Sequence, residues 1–289
     1  MREDGIWKII GAVRGVFDAL PHRAALGFGA TLARAVGFLS RKGTDRAEKN
    51  CVRALQVGVT TARSIVRESY GNLGRSIAEF SRMPRREEIL DNMEIHGEEH
   101  LKRALAAGKG VILLSAHLGN WEMGAAALAR KGYPVNAIGA DQRDDRITDL
   151  ISGIRESCGV RTVGKGFDLK AAFRCLKSGE ALAILIDQDA KSHGLVVPFL
   201  GLPASTPYGP VKMARRLGSA ILPVFAIRRG TGHLHDLNIL PPLVLQEGEN
   251  LEMDVTLCNN IISTWIMEYP GQWLWLTDRW AWTSETAGF

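Results

Sequence analysis

The chain contains little cysteine, and what it contains is widely spaced. None of the four cysteines belongs to a C-x-x-C pair; they are Cys51, Cys158, Cys175 and Cys258. Structural zinc sites and disulfide frameworks need paired or closely spaced cysteines, so the sequence predicts neither. Scattered free cysteines are typical of proteins from a reducing compartment.

Long apolar runs are missing as well. The N-terminus has no clean apolar stretch followed by a small-residue cleavage site, so we predict no signal peptide. The most apolar N-terminal stretch, residues 24–39, is interrupted by Arg34 and flanked by basic residues. It is shorter than the roughly 20 apolar residues that span a bilayer. We therefore interpret it as either an interfacial amphipathic helix or an ordinary core helix.

Nucleic-acid recognition motifs are the third absence, although the chain is basic. Its formal net charge is +5, but the basic residues are scattered, so we predict no nucleic-acid partner. An acidic protein or an anionic membrane surface suits this charge better. Five arginines either steer such a partner or lie on solvated faces: Arg82, Arg85, Arg86, Arg215 and Arg216.

The pattern of apolar residues divides the chain in two. Over residues 1–90 they recur at helical spacing until Pro84, which predicts a helical N-terminal region that associates with a membrane. Over residues 91–289 strands and helices alternate. We predict strands over 93–96, 111–114, 135–139, 181–186, 221–226 and 235–240, and helices over 98–107, 121–131, 148–158, 169–178 and 207–217. This alternation indicates one continuous α/β domain with a mixed sheet covered by helices.

A histidine and a glutamate follow the second predicted strand. His117 lies in the loop after residues 111–114, and Glu122 begins the next predicted helix. Ligands bind beyond the carboxyl ends of strands in such sheets, and a histidine beside a carboxylate is suited to general-base catalysis. If the loop folds back, Glu122 orients the imidazole and stabilises its protonated form. The alternative is a histidine with a structural partner and a solvent-facing acid.

A second polar segment follows the strand predicted at residues 181–186. It reads Asp187-Gln188-Asp189, and a strand that ends in two carboxylates needs an explanation. One explanation is recognition of substrate or of an arginine, and another is a Mg²⁺ site built from oxygen ligands. The third is capping of the turn, which aspartate often provides.

The motifs together resemble a known family. His117-Leu-Gly-Asn-Trp-Glu122 is similar to the H-x4-D/E motif of glycerolipid-type acyltransferases. Further segments match, in the same order, the late acyltransferases of lipid A biosynthesis, the lauroyl/myristoyl acyltransferase family. These segments are Asp187-Gln188-Asp189, Val197-Pro-Phe-Leu-Gly201, Thr206-Pro-Tyr-Gly209, Tyr269-Pro-Gly-Gln-Trp273-Leu-Trp275 and Asp278-Arg279-Trp280. The resemblance covers the chain from about residue 20 onward.

This resemblance implies a function and a fold. It implies a glycerolipid-acyltransferase-like α/β fold and transfer of a fatty acyl group from acyl carrier protein, or from CoA, to a hydroxyl. The acceptor would be a lipid A precursor or a related glycolipid, at the cytoplasmic face of a bacterial inner membrane. His117 would be the general base with Glu122 as its partner, and neither a metal nor a cofactor is implied. The polar loop at residues 190–193 departs from the family, so a glycerolipid or another glycolipid is an alternative acceptor.

The resemblance also implies substrate-binding residues. Arg155 and Arg143 follow the third predicted strand, where arginines would bind acceptor phosphates. The second motif contributes further candidates: Asp187, Gln188, Asp189, Phe199, Gly201 and Thr206.

Two alternatives accompany these expectations. A metal-dependent hydrolase would use Asp187 and Asp189, with His117 as a ligand. Five of the seven tryptophans lie near the C-terminus, where they either mark a membrane interface or pack in the core: Trp265, Trp273, Trp275, Trp280 and Trp282.

Overall fold

A computed structural model describes residues 2–139, 144–163, 169–246 and 250–287. Its α-helices are α1 (Arg2–Ala19), α2 (His22–Leu39), α3 (Arg41–Leu55), α4 (Val59–Arg82), α5 (Glu98–Ala106), α6 (Trp121–Arg130), α7 (Asp145–Ser157), α8 (Leu169–Lys177), α9 (Gly209–Leu217), α10 (Leu251–Glu268) and α11 (Ala281–Ala287). Its strands are β1 (Met93–His96), β2 (Val111–Ser115), β3 (Val135–Ile138), β4 (Arg161–Val163), β5 (Ala181–Leu185), β6 (Leu195–Phe199), β7 (Leu202–Thr206), β8 (Ala220–Arg228) and β9 (His235–Ile239).

Seven strands form the central sheet in the order β1-β9-β8-β2-β5-β3-β4. All neighbours in it run parallel except β8 and β9, and β6 and β7 form a separate antiparallel hairpin. Strand β2 is central and buried throughout. Its residues alternate between two apolar clusters, with Ile112 and Leu114 on one face and Val111 and Leu113 on the other. The predicted α/β fold, a mixed sheet covered on both faces by helices, is confirmed.

Helices α2 and α4 pack closely in the N-terminal region. A Cβ added to Gly29 would lie 2.4 Å from the carbonyl oxygen of Gly74, and one added to Gly74 would lie 2.1 Å from that of Gly29. Only glycine at both positions permits this approach of the two backbones. The α4 helix in turn packs on the sheet domain, since Ser69 donates a hydrogen bond to the carbonyl of Trp273.

No helix in the four described ranges is both long enough and apolar enough to cross a bilayer. Helix α2, which contains the stretch 24–39, buries one face, including Leu26 and Ala30. Its last two residues, Phe38 and Leu39, are 72% and 80% exposed. The helix therefore has both a core face and an exposed apolar end.

The C-terminal tryptophans are mainly core residues. Trp273, Trp275 and Trp280 are each 1% exposed, and the rings of Trp273 and Trp275 meet edge to face with centroids 4.6 Å apart. Membrane-interface contact by these three is therefore wrong, because each ring is enclosed by protein. Trp265 and Trp282 remain partly exposed.

The packing of α2 on α4 generates a stability prediction. Gly74→Ala should lower the free energy of unfolding by about 1–3 kcal/mol, because the added methyl group overlaps backbone atoms of α2. Gly27→Ala on the same helix pair is the matched control, since a Cβ there meets nothing within 4 Å. It should raise the free energy by about 0.5–1 kcal/mol through better helix propensity. Urea denaturation measures both, and equal effects would contradict the close approach.

Candidate active site

His117 and Asp187 come together because their strands are neighbours. His117 follows β2 and Asp187 follows β5, and these strands pair in parallel with Ser115 opposite Leu185. The carboxyl ends of parallel strands meet at the same edge of a sheet, so the residues that follow them converge. The polar segments on which the sequence interpretation rests thus form one site.

The two side chains form a hydrogen-bonded pair. Nδ1 of His117 lies 2.8 Å from Oδ1 of Asp187, and the backbone N–H of His117 donates to Oδ2 at 2.8 Å. The indole N–H of Trp273 also donates to Oδ2, at 2.8 Å. An ionised carboxylate only accepts hydrogen bonds, so Nδ1 carries the proton and Nε2 keeps its lone pair. This is the tautomer that a general base requires.

Burial and charge shift the pKa of each member of this pair in opposite directions. Burial alone would lower the pKa of His117, but the charge and hydrogen bond of Asp187 outweigh it and raise that pKa above 6.5. Burial alone would raise the pKa of Asp187, but the contacts with His117 and Trp273 hold it below its usual range. Asp187 is therefore ionised at neutral pH, and its charge favours the imidazolium that forms when His117 accepts a proton.

Glu122 does not take the place that the H-x4-E spacing predicts for it. Its Oε2 accepts from Nε of Arg155 at 2.9 Å, and its Oε1 accepts from Nη2 of Arg155 at 2.6 Å. The indole N–H of Trp121 also donates to Oε1. The predicted orientation of the imidazole by Glu122 is wrong, since Asp187 makes that contact; Glu122 instead fixes Arg155 in a bidentate ion pair.

A large cavity opens beside the pair. Its volume is about 1190 Å³, and His117, Glu122, Arg155 and Gln188 lie in its walls. The Nε atom of the Gln188 amide is 3.4 Å from Nε2 of His117. Apolar side chains cover one part of the wall, namely Ile138, Ile151, Leu169, Phe173, Ile184 and Leu185. A cavity that combines an apolar wall with a few convergent polar groups is typical of a site for an amphiphilic ligand.

Several predicted substrate-binding residues lie elsewhere. Asp189 accepts hydrogen bonds from the backbone N–H groups of Lys191 and Trp282, so it caps loops. Phe199 and Thr206 are fully buried. The guanidinium of Arg279 lies over the ring of Phe199 and donates a hydrogen bond to the hydroxyl of Thr206. These two are therefore corrected from substrate contacts to core contacts.

Two other predicted residues complete this account. Gly201 forms the turn between β6 and β7 with φ of 76° and does not line the cavity. Arg143 lies outside the described residues.

A buried ion pair, which the sequence analysis did not predict, contacts the His117 loop through Asn120. Arg228 on β8 donates to both carboxylate oxygens of Glu79 on α4, at 2.8 and 2.6 Å. Glu79 also accepts from the side chain of Asn120 at 2.8 Å, and the Asn120 side chain caps α6 by accepting from the backbone N–H of Met123. The signal in the sequence is a run of polar residues at helical spacing on α4, namely Asn72, Ser76 and Glu79.

Gly119 allows the loop to pass close to β8. Its φ is 68°, and an added Cβ would lie 1.9 Å from the carbonyl oxygen of Ala226. The N–H groups of Gly119 and Asn120 donate to the carbonyls of Gln272 and Ala226. Both amides therefore already have a hydrogen-bond partner and are not available to a ligand.

The site has few features of a metal centre. Within the described ranges, the one group of three side chains with ligand spacing is Glu94, His96 and Asp236, and Arg229 forms ion pairs with both carboxylates. Asp187 and Asp189 bind different partners, as described above. This arrangement does not support the hydrolase alternative that needs both aspartates on one ion.

The buried ion pair generates a second prediction. Burial alone would raise the pKa of Glu79, but the hydrogen bonds and charge of Arg228 hold it below 4.5. The pair therefore stabilises the fold above that pH, and its contribution is lost on acidification. Glu79→Gln should lower the free energy of unfolding at pH 7 by about 3–5 kcal/mol, because it leaves a buried guanidinium without its counter-ion.

Glu48→Gln is the control for this measurement. It breaks the exposed pair with Arg63 and should cost only about 0–1 kcal/mol. Urea denaturation at neutral pH gives both values. A similar small effect for the two variants would show that Glu79 is not needed to neutralise Arg228.

Comparison with known proteins identifies the relatives of the chain. The model of the bacterial lipid A biosynthesis acyltransferase family matches residues 1–281. A phosphatidylinositol mannoside acyltransferase of Mycolicibacterium smegmatis is 25% identical over 284 residues, which cover 95% of this chain and 88% of the relative. The protein of the same name from Mycobacterium tuberculosis CDC 1551 is 26% identical over 84% of this chain and 79% of its own length. A lipid A biosynthesis lauroyltransferase of Escherichia coli K12 is 26% identical over 189 residues, which cover 64% of this chain and 61% of that relative.

Proposed function

The chain belongs to the bacterial lipid A biosynthesis acyltransferase family, and we propose that it transfers a fatty acyl group from a thioester to a glycolipid hydroxyl. The donor is acyl carrier protein or CoA carrying the acyl group. The observation that carries the proposal is the Asp187–His117 pair in the wall of a large, partly apolar cavity. Its tautomer leaves the lone pair of Nε2 on the cavity side, where an alcohol that displaces the Gln188 amide at 3.4 Å can donate its proton.

The reaction then follows from the positions of these groups. Nε2 of His117 takes the proton of the acceptor hydroxyl while its oxygen attacks the thioester carbonyl. A tetrahedral oxyanion forms, and its collapse breaks the C–S bond and makes the ester. The leaving thiolate takes the proton back from the imidazolium. Asp187 stabilises the imidazolium in between, as the third member of a catalytic triad does.

Arg155 is our candidate to stabilise the oxyanion or to hold a substrate phosphate. Two of its nitrogens bind Glu122, and the third, Nη1, makes no contact with that carboxylate. Arg155 lines the same cavity as His117, and its side chain is only 11% exposed, which strengthens its charge interactions. Glu122 is then a positioning residue that acts through Arg155.

The walls of the cavity fit a substrate with an acyl chain and anionic groups. The apolar wall, with Phe173 and Ile184 among its residues, suits the fatty chain. Lys212 and Arg216 also line the cavity and suit phosphates. We propose a phosphate-bearing glycolipid as acceptor, either a lipid A precursor or a phosphatidylinositol mannoside like that named for the mycobacterial relatives.

We further propose that residues 1–90 associate with the cytoplasmic face of a bacterial inner membrane, as a peripheral or N-terminally anchored region, while residues 91–289 form the catalytic unit. The exposed Phe38 and Leu39 end α2, and Arg41 and Lys42 follow after Ser40. Apolar side chains beside basic ones favour an anionic lipid surface.

The direct test is an acyl-transfer assay with the purified protein. Labelled acyl carrier protein and acyl-CoA thioesters are offered with a lipid A precursor or a phosphatidylinositol mannoside, with and without a chelator. We expect acceptor-dependent transfer that resists the chelator and is lost in His117→Ala. His100→Ala on α5 is the control and should keep full activity. Chelator-sensitive hydrolysis without transfer would refute the proposal.

The raised pKa of His117 predicts the pH dependence. Because the base must be neutral, activity rises with pH through that pKa, and the acid limb of the profile should lie above pH 6.5. Asp187→Asn removes the charge that raises the pKa. The limb should move to lower pH, and kcat should fall about 10²–10⁴-fold.

Asp91→Asn is the control for this profile, since Asp91 is exposed and pairs with Arg130. It should keep the wild-type acid limb and kcat. An unshifted acid limb in Asp187→Asn would show that Asp187 does not set the protonation of the base.

The Glu122–Arg155 pair predicts strong non-additivity. Arg155→Gln should lower kcat/KM about 10²–10³-fold, as removal of one oxyanion donor does. Glu122→Gln should have a smaller effect, and the double variant should be close to Arg155→Gln alone, because the contact that Glu122 makes in the site is with that arginine. Comparison of kcat/KM among the wild type, the two single variants and the double variant gives the double-mutant cycle.

The exposed pair of Asp91 and Arg130 supplies the parallel control cycle, in which every variant should keep wild-type kinetics. Additive losses from Glu122 and Arg155 would instead mean that each residue contacts substrate independently.

A further inference from the structure

A second pocket lies apart from the catalytic cavity and shares none of its lining residues. It has a volume of about 490 Å³ and lies between the α1–α2 junction, the end of α4 and the β8–β9 connection. Its polar walls are unusually rich in cationic and imidazole groups: His22, Arg82, Arg86 and His233, with Glu88 and Asn92 beside them.

Arg82 is the central feature of this pocket. The side chain is only 2% exposed, and its Nη2 donates to the carbonyl of Leu20 at 3.0 Å. Its Nε and Nη1 are buried and have no hydrogen-bond partner among the described residues. A buried guanidinium without a counter-ion is unfavourable, because the desolvation of its charge is not offset.

Two carboxylates near Arg82 are paired with other arginines. Asp18 forms its ion pair with Arg85, which does not line the pocket, and Glu88 lies 3.7 Å from Nη1 of Arg86. Burial lowers the pKa of Arg82 and outweighs the charges of Asp18 and Glu88, which act to raise it. In the part of the chain that the structure describes, Arg82 forms no ion pair of its own, which leaves a positive charge at the pocket.

The α2 helix adds further donors at the same place. It begins at His22, and the N-cap residue Pro21 makes no side-chain hydrogen bond to the first turn. The peptide dipoles of its 18 residues are aligned, so this end of the helix carries a partial positive charge. Both ring nitrogens of His22 are also buried without a hydrogen-bond partner. The ring meets that of His233 edge to face, with centroids 5.9 Å apart. An uncapped helix N-terminus, an imidazole and an unpaired guanidinium therefore converge.

We propose that this pocket binds a phosphate group. A phosphate oxygen accepts hydrogen bonds from a guanidinium, an imidazole N–H and helix N-terminal amides at the same time, and its charge supplies the counter-ion that Arg82 lacks. The pocket is larger than one phosphate, so a phosphate monoester or diester with an attached group fits as well. Free phosphate and the headgroup of a phospholipid share this chemistry.

The experiment measures binding, not acyl transfer, so its outcome is independent of the catalytic proposal. Inorganic phosphate is titrated into the full chain by calorimetry. We expect saturable binding that weakens about tenfold or more in Arg82→Gln, the loss of charge-assisted hydrogen bonds. Arg85→Gln, three residues further along and outside the pocket lining, makes the same change of charge and should bind as the wild type does.

A vesicle arm identifies the source of the phosphate. Phosphatidylcholine vesicles carry either phosphatidic acid or oleate at equal mole fraction, and co-sedimentation measures binding. Arg82-dependent preference for phosphatidic acid, without binding of free phosphate, assigns the pocket to a lipid headgroup. Binding of free phosphate assigns it to a soluble ligand.

Circular dichroism checks that Arg82→Gln is folded, and His22→Ala replaces it as the test variant if it is not. The proposal is overturned if neither inorganic phosphate nor phosphatidic acid binds the wild type. It is equally overturned if the variant in the pocket binds both as tightly as Arg85→Gln does.

Discussion

The buried ion pair between Glu79 and Arg228 is the constraint on which the site depends. It joins α4 to β8, and the same glutamate accepts a hydrogen bond from Asn120 at the start of α6. Because both charges are removed from water, the pair tolerates little displacement of either element. Asn120 belongs to the His117 loop, so the conformation of this loop depends on how the N-terminal helices pack on the sheet.

The sequence predicted the periodic parts of the fold and missed the parts without clear periodicity. Strand β1 was predicted with its observed bounds, and the core strands β2 and β5 differ from prediction by one residue at one end. Strand β4 has three residues, and the β6–β7 hairpin contains a proline in each strand, so neither gives a strand pattern. Helix α10 was missed because buried polar residues, including Asp254 and Asn259, interrupt its apolar stripe.

The site shows the same division between local and distant information. His117 was found because its loop follows an apolar strand, which is a local property. Its partner was assigned to Glu122, five residues away, whereas the carboxylate that contacts it is Asp187, 70 residues away and on the neighbouring strand. Strand order decides which of two carboxylates reaches the ring, and spacing along the chain carries no information about strand order. The pairing of Glu79 with Arg228, 149 residues away, was missed for the same reason.

The contact of Trp273 with Asp187 ties the His117–Asp187 pair to a distant part of the chain. The indole N–H of Trp273 donates to Asp187, and the backbone N–H of Leu274 donates to the carbonyl of His117. Loss of this segment would leave both acceptors without these donors. The geometry of a pair from the middle of the sequence therefore depends on residues near its C-terminal end.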